Sequence, residues 1–143
     1  MSAGQSNAGL SNNGVLFASW RDACASDWRW PHFSPREIAC KGSGAVKVVP
    51  AALDALEDMR RHLGGPLTIV SGYRSPEHNK AVGGAKGSKH MDGTAFDVAC
   101  RPSQQEEMIE AASKAGFFGI GRYDNWIHVD LGPARTWDER SRK

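Results

Sequence analysis

Three residues stand out because their chemistry contradicts their surroundings. His90 lies in a glycine-rich segment, Asp97 interrupts the apolar run Ala95-Phe96-Asp97-Val98-Ala99, and His128 interrupts Trp126-Ile127-His128-Val129. A buried carboxylate is costly unless it is paired or bound to a cation. Two neutral imidazoles and one carboxylate form a zinc ligand set that leaves a fourth position open for water, which marks a catalytic rather than a structural site. Zinc in such a site lowers the pKa of its water and polarises a carbonyl. Taken singly, each residue also reads as ordinary structure: a strand histidine as a hydrogen-bonded core residue, a strand aspartate as a cap or ion-pair partner. The spacing matches no helical HExxH signature.

These residues need elements to position them. Thr94 to Ala99 alternates and predicts a strand, as does the short β-branched run Leu67-Thr-Ile-Val70. Phe118 to Gly121 and Trp126 to Leu131 predict a hairpin around Tyr123-Asp124-Asn125. Leu53, Leu56, Met59 and Leu63 recur at helical spacing behind Pro50, and Gly64-Gly65 ends that helix. Ser103-Gln-Gln-Glu106 is a capping-box pattern that predicts a helix to about Ala115, stopped by Gly116. Ser34-Pro35-Arg36-Glu37 predicts a shorter helical turn. Segment 71–93 reads as a long loop, and loops of that length in a small domain tend to be functional. Trp20, Trp28 and Trp30 lie in an arm expected to dock on the domain, with an aromatic sugar platform as the other reading. The fold class expected is α+β: a small, mostly antiparallel sheet flanked by helices, with 50–63 and 103–115 on one face and the zinc site at one end. Residues 1–14 read as a flexible tail, 15–137 as one domain, and 138–143 as a frayed tail.

The segment Ser71-Gly-Tyr-Arg-Ser75, Asn79, Val82-Gly83-Gly84-Ala85 and Ser88-Lys-His-Met-Asp-Gly-Thr-Ala-Phe-Asp97 resembles the zinc D-alanyl-D-alanine carboxypeptidase family, which shares the Hedgehog/DD-peptidase fold. Trp126-Ile-His-Val-Asp130 with Gly132-Pro133, and the entry Phe33-Ser-Pro-Arg-Glu-Ile-Ala-Cys40, resemble its branch of bacterial and phage peptidoglycan peptidases. The resemblance spans about 33–137. It implies that His90, Asp97 and His128 bind Zn2+, and that Arg74 contacts substrate or stabilises a developing oxyanion. A planar, permanently charged guanidinium suits either task; a surface ion pair is the plainer reading of Arg74. Ser88 is a candidate substrate or ligand-orienting hydrogen-bond partner, or a loop serine bonding its own backbone.

The resemblance leaves the general base unassigned, since the family's usual positions hold Asn125 and Trp126 here. Asp130 lies two residues after His128 and so shares its strand face. Asp124 has the same parity within the turn, where it also reads as a turn former. Asp130 is preferred as the catalytic carboxylate, with Asp124 next; orienting a ligand histidine is the other role open to Asp130. The expected function is zinc-dependent hydrolysis of peptidoglycan stem peptides, by an endopeptidase or a D-Ala-D-Ala carboxypeptidase of the phage-lysin type. A non-catalytic wall- or partner-binding module with a structural zinc is the alternative.

Composition limits other classes. The 143 residues fit one domain, and 40% hydrophobic with 24% charged residues describes a folding chain. Eighteen Lys and Arg against sixteen Asp and Glu leave +2, too little bias for a dedicated nucleic-acid binder. No segment is long and apolar enough for membrane insertion, and a monomer is expected. The first residues carry no basic-then-apolar signal. The expectation is therefore cytoplasmic synthesis and action on the wall, after holin-mediated release or as part of a phage particle. Three cysteines, Cys24, Cys40 and Cys100, read as reduced thiols, with a Cys24–Cys40 bridge open in an oxidising compartment.

Overall fold

A computed structural model describes residues 14–25 and 28–141. The flexible tail expected over 1–14 lies outside them except for Gly14. The elements run β1 (Val15–Phe17), α1 (Trp20–Cys24), α2 (Pro35–Ile38), β2 (Val46–Val48), α3 (Pro50–Leu63), β3 (Ile69–Ser71), α4 (Pro76–Ala81), α5 (Lys89–Asp92), β4 (Ala95–Ala99), a 3-10 turn (Pro102–Gln104), α6 (Gln105–Ala115), β5 (Gly119–Arg122), β6 (Trp126–Asp130) and β7 (Arg135–Asp138). β1 and β2 form a small antiparallel pair. The main sheet has the order β3-β4-β6-β5-β7, antiparallel except for the β5–β7 edge. The α+β class and the mostly antiparallel sheet are as the sequence predicts.

Period-two alternation splits this sheet into two chemically different faces. Phe96, Val98, Ile120, Ile127 and Val129 point into one core with Leu53, Leu56 and Met59 of α3 and Met108, Ala111 and Ala112 of α6. Asp97, His128 and Asp130 occupy the alternate positions. The cluster therefore stands on the sheet face away from the two long helices, at mid-strand in β4 and β6.

The tryptophan arm docks. Trp30 is almost fully buried, and its Nε1 donates to Asp54 Oδ1 of α3 at 2.8 Å. Trp28 Nε1 donates to the carbonyls of Trp30 and Phe33, at 3.0 and 2.8 Å. Ser34 forms the predicted capping box with Glu37. Pro50 opens α3 and Gly64, at φ 78°, closes it. Segment 71–93 is not one loop, because Ser75 and Ser88 cap the short helices α4 and α5.

Three other features concern the C-terminal half. The predicted Ser103 capping box does not form: Pro102 starts a 3-10 turn one residue earlier, and α6 begins at Gln105 without a side-chain cap. In the segment beyond 137, Glu139 N donates to Arg122 O at 2.8 Å, Arg140 bonds Asp138 and Gln105, and Ser141 bonds Asp124. β7 was not expected, since its charged residues give no strand pattern; main-chain pairing with β5 makes it a strand. Cys24, Cys40 and Cys100 are free thiols.

Replacing Trp30 by Ala should cost about 3–5 kcal/mol of unfolding free energy, the range for a large aromatic lost from a core. Urea unfolding checks this; a change below about 1 kcal/mol would mean that the arm is not part of the cooperative unit.

Candidate metal centre

The cluster joins two strands and a short helix. Asp97 and His128 face each other in the β4–β6 register. His90 arrives from α5, whose N-cap Ser88 accepts the His90 backbone N–H at 3.2 Å. Asp97 Oδ1 lies 3.3 Å from His90 Nε2 and 3.1 Å from His128 Nδ1. All three residues are buried, and their ligand-type atoms fall within 4.8 Å of one another. Among the described residues no fourth His, Cys, Asp or Glu joins the group.

The outer nitrogens decide what the inner ones can do. His90 Nδ1 is 2.7 Å from the Gly72 carbonyl, which can only accept, so this nitrogen carries a proton. His128 Nε2 is 2.6 Å from Asp130 Oδ2, another acceptor, so it too is protonated. In the neutral rings, the inner nitrogens then present lone pairs to a carboxylate oxygen. Three buried acceptors aimed at one another repel unless a cation joins them or both rings gain a second proton. The donor set, the tautomers and the outer hydrogen bonds all fit zinc.

Titration behaviour follows the same geometry. Burial pushes the Asp97 carboxyl up, but hydrogen bonds and charge from the His128 and His90 rings, when these carry a second proton, outweigh it and pull it to about 2. Burial pushes His128 down, and its bonds to Asp130 and Asp97 reverse this and raise it. Asp130 is fully buried; the penalty of burial is overcome by His128, Arg135 and the Gly132 N–H, which hold its carboxyl far below the usual range.

Arg74 lies beside Asp97. Its Nη2 donates to Asp97 Oδ2 at 3.4 Å, Nη1 to Asn79 Oδ1 at 3.1 Å and Nε to Ser71 Oγ at 3.4 Å. Asn79 in turn donates to Ala85 O at 2.8 Å. A side chain at Gly84 would collide with both Asn79 and Arg74, so this glycine clears the place where they meet. At Gly72 a Cβ would run into the backbone of Ile38, and the same residue's carbonyl holds His90.

The two carboxylates considered as general bases are placed elsewhere. Asp130 shares the His128 face, as its parity predicts, but it sits on the outer nitrogen of that ring. It is clamped there by Arg135, at 3.0 and 2.8 Å, and by the Gly132 N–H. Asp124 is in the exposed hairpin turn and accepts from the Ser141 N–H and hydroxyl. Neither lines the cavity of about 380 Å³ that opens over the cluster. That cavity is walled by Arg74, Ser88, Tyr123, Trp126, Arg135 and Trp137 around the three ligand-type residues. A larger cavity of about 480 Å³ beside Trp20, Arg36 and Cys40 contains no such cluster, so chemistry rather than volume marks the site. Sequence reasoning missed Tyr123, Arg135 and Trp137. The available signal was the pair Gly119 and Gly121, which leaves the face of β5 bare beside His128 and Asp130.

Two outcomes are expected. Asp130→Asn should weaken zinc affinity about 10- to 100-fold by loosening His128; competition against a chelating dye measures it, and unchanged affinity would remove the orienting role. A raised His128 pKa means that its proton stabilises the metal-free fold below about pH 6.5, and that this contribution is lost as pH rises through the higher folded value. Zinc competes with that proton, so zinc affinity should rise with pH over the same window. Titrations at about pH 5.5 and about pH 7.5 test the sign.

The family model for peptidase M15 matches residues 31–130, a stretch that contains α3, α5 and all three cluster residues. The chain is 34% identical to the peptidoglycan L,D-endopeptidase MepK of Escherichia coli K12, over 62% of this chain and 53% of that protein. It is 31% identical to the zinc D-Ala-D-Ala carboxypeptidase of Streptomyces albus G, over 82% of this chain and 46% of that one. The chain thus spans about half the length of the curated relatives it matches. With the matched segment covering most of the described fold, the chain belongs to the peptidase M15 family.

Proposed function

We propose that this protein is a zinc peptidase that hydrolyses peptide bonds in the peptide stems of bacterial peptidoglycan. One observation carries the reading: two ring nitrogens and a carboxylate oxygen converge at the floor of a cavity, with both tautomers set by outer partners. The names of the relatives support the substrate class. Zinc held by His90, Asp97 and His128 would polarise the scissile carbonyl and make water nucleophilic near neutral pH.

The chain's own residues do the rest. Gly72 O and Asp130 keep each histidine in the tautomer that offers its inner nitrogen. Arg135 fixes Asp130. Arg74 holds the second oxygen of Asp97, and the spare N–H on each of its terminal nitrogens is free to meet a substrate oxygen. Ser88 orients α5 through its cap and stays at the cavity wall, within reach of a substrate amide. Asp130 is read as the residue that positions His128, not as the base; Asp124 becomes a base only if its bonds to Ser141 open.

The cavity lining includes Gly83, Gly84, Ala85, Gly87 and Ser88 as well as Trp126 and Trp137. An endopeptidase is preferred over a carboxypeptidase, in line with the endopeptidase name of one relative. A monomer with a wall-degrading role of the phage-lysin type is the setting proposed. No helix among the described residues is long and apolar enough to cross a membrane.

The test begins with metal content by elemental mass spectrometry on wild type and His90→Ala. About one zinc per chain is expected, and its loss in the variant. Zinc-loaded wild type should then release soluble peptides from purified sacculi, and His128→Ala should not. Among the described residues the cavity lining holds no carboxylate besides Asp97, and this favours a second reading, a wall-binding module with a structural zinc. Binding of sacculi without peptide release by the zinc-loaded protein would select it.

A further inference from the structure

The cavity has one oriented hydroxyl that the account above leaves unused. Of the two hydroxyl side chains in its wall, that of Ser88 is committed to capping α5. The other belongs to Tyr123, at the end of β5. Its ring lies flat on Trp126, with centroids 4.7 Å apart and planes 6° apart. Its oxygen accepts the Trp137 Nε1–H at 2.9 Å. Trp137 in turn packs on the His128 ring at 5.0 Å. A side chain at Gly121 would occupy the Trp137 ring position, so the glycine makes this arrangement possible. The phenol is thus held by a stack on its face and a donor at its oxygen, and its own proton has no acceptor among the described residues.

We propose that the Tyr123 hydroxyl donates a hydrogen bond to the carbonyl oxygen of the scissile peptide bond, where negative charge develops as water adds. This rests on the peptidase reading. A donor fixed beforehand by Trp126 and Trp137 needs no reorganisation when the charge appears, and such donors contribute most in a site partly closed to water. The phenolic proton stays on its oxygen throughout. Tyr123 and Arg74, both in the cavity wall, then serve the reacting group together, one as a neutral donor and one as a cation. Trp137 is a positioning residue, because it acts through Tyr123 and through the His128 ring.

The experiment compares wild type, Tyr123→Phe and Trp137→Phe as zinc-loaded proteins of verified metal content. Tyr123→Phe keeps the ring on Trp126 and removes only the donor. Its kcat on a purified peptidoglycan peptide should fall about 100-fold, with KM within about twofold. Trp137→Phe should show a smaller loss of the same kind. The second readout needs no turnover: calorimetric binding of a phosphinic analogue of that stem peptide, whose tetrahedral oxygens stand in for the developing oxyanion. Tyr123→Phe should bind it about tenfold more weakly than wild type. Equal kcat and equal affinity would overturn the proposal. If wild type cleaves nothing, the peptidase reading fails, yet the titration still decides on Tyr123: weaker binding by the variant keeps it as an oxyanion donor, while equal binding, or none by either protein, removes it.

Discussion

A carboxylate oxygen and two imidazole lone pairs, facing one another out of water, form an arrangement that the polypeptide cannot neutralise by itself without extra protons. Asp97 stands 3.3 and 3.1 Å from the inner nitrogens of His90 and His128. The outer nitrogens cannot relieve it, because each already donates to an obligate acceptor. Water would normally screen such repulsion, and burial removes that screening. The site is therefore poised for a cation by what surrounds the ligands as much as by the ligands themselves. Loss of one outer partner would free a ring to change tautomer, and the convergence would lapse.

Much of the remaining architecture can be understood as holding that convergence in place. Gly72 lets the end of α2 pass close behind it while its carbonyl meets His90. On the other flank, β5 presents glycine at 119 and 121 toward the site. Side chains from the outer strand β7 pass over this bare face: Arg135 reaches Asp130, and Trp137 reaches His128. Replacing either glycine would press a methyl group into these contacts. The edge strand thus does its work across a neighbouring strand, and its parallel pairing with β5 sets the register that makes this reach correct.

The parts of this arrangement readable in the sequence were those governed by local periodicity. The helix at 50–63, strands β4 to β6, the hairpin turn at 123–125 and the polar interruptions at 97 and 128 follow from spacing and turn chemistry. His90 was suggested by its type and its segment. What escaped was set by distant pairing. β7 is polar and lacks a strand pattern, so neither it nor the contributions of Arg135 and Trp137 could be foreseen from residues 135–138 alone. Asp130 shows how far parity goes. Its face was read correctly, but whether it would meet the inner or the outer nitrogen of His128 depended on Arg135 arriving from the next strand but one. The Ser103 box failed for a nearer reason, since Pro102 imposes its own turn first.

The two-faced sheet has a consequence for how this protein could be changed. Val98, Ile127 and Val129 belong to the core that α3 and α6 cover, while Asp97 and His128 next to them along the chain form the site. A strand this thin acts as a partition: volume-conserving exchanges on the α3–α6 side can be explored with little effect on the other side, provided the backbone does not shift. Thermostability and chemistry are then separable properties for an engineer. Directed evolution for heat resistance could draw its library from the helix-facing positions, and selection for a new substrate could draw from the aromatic wall, with the two sets combined afterwards.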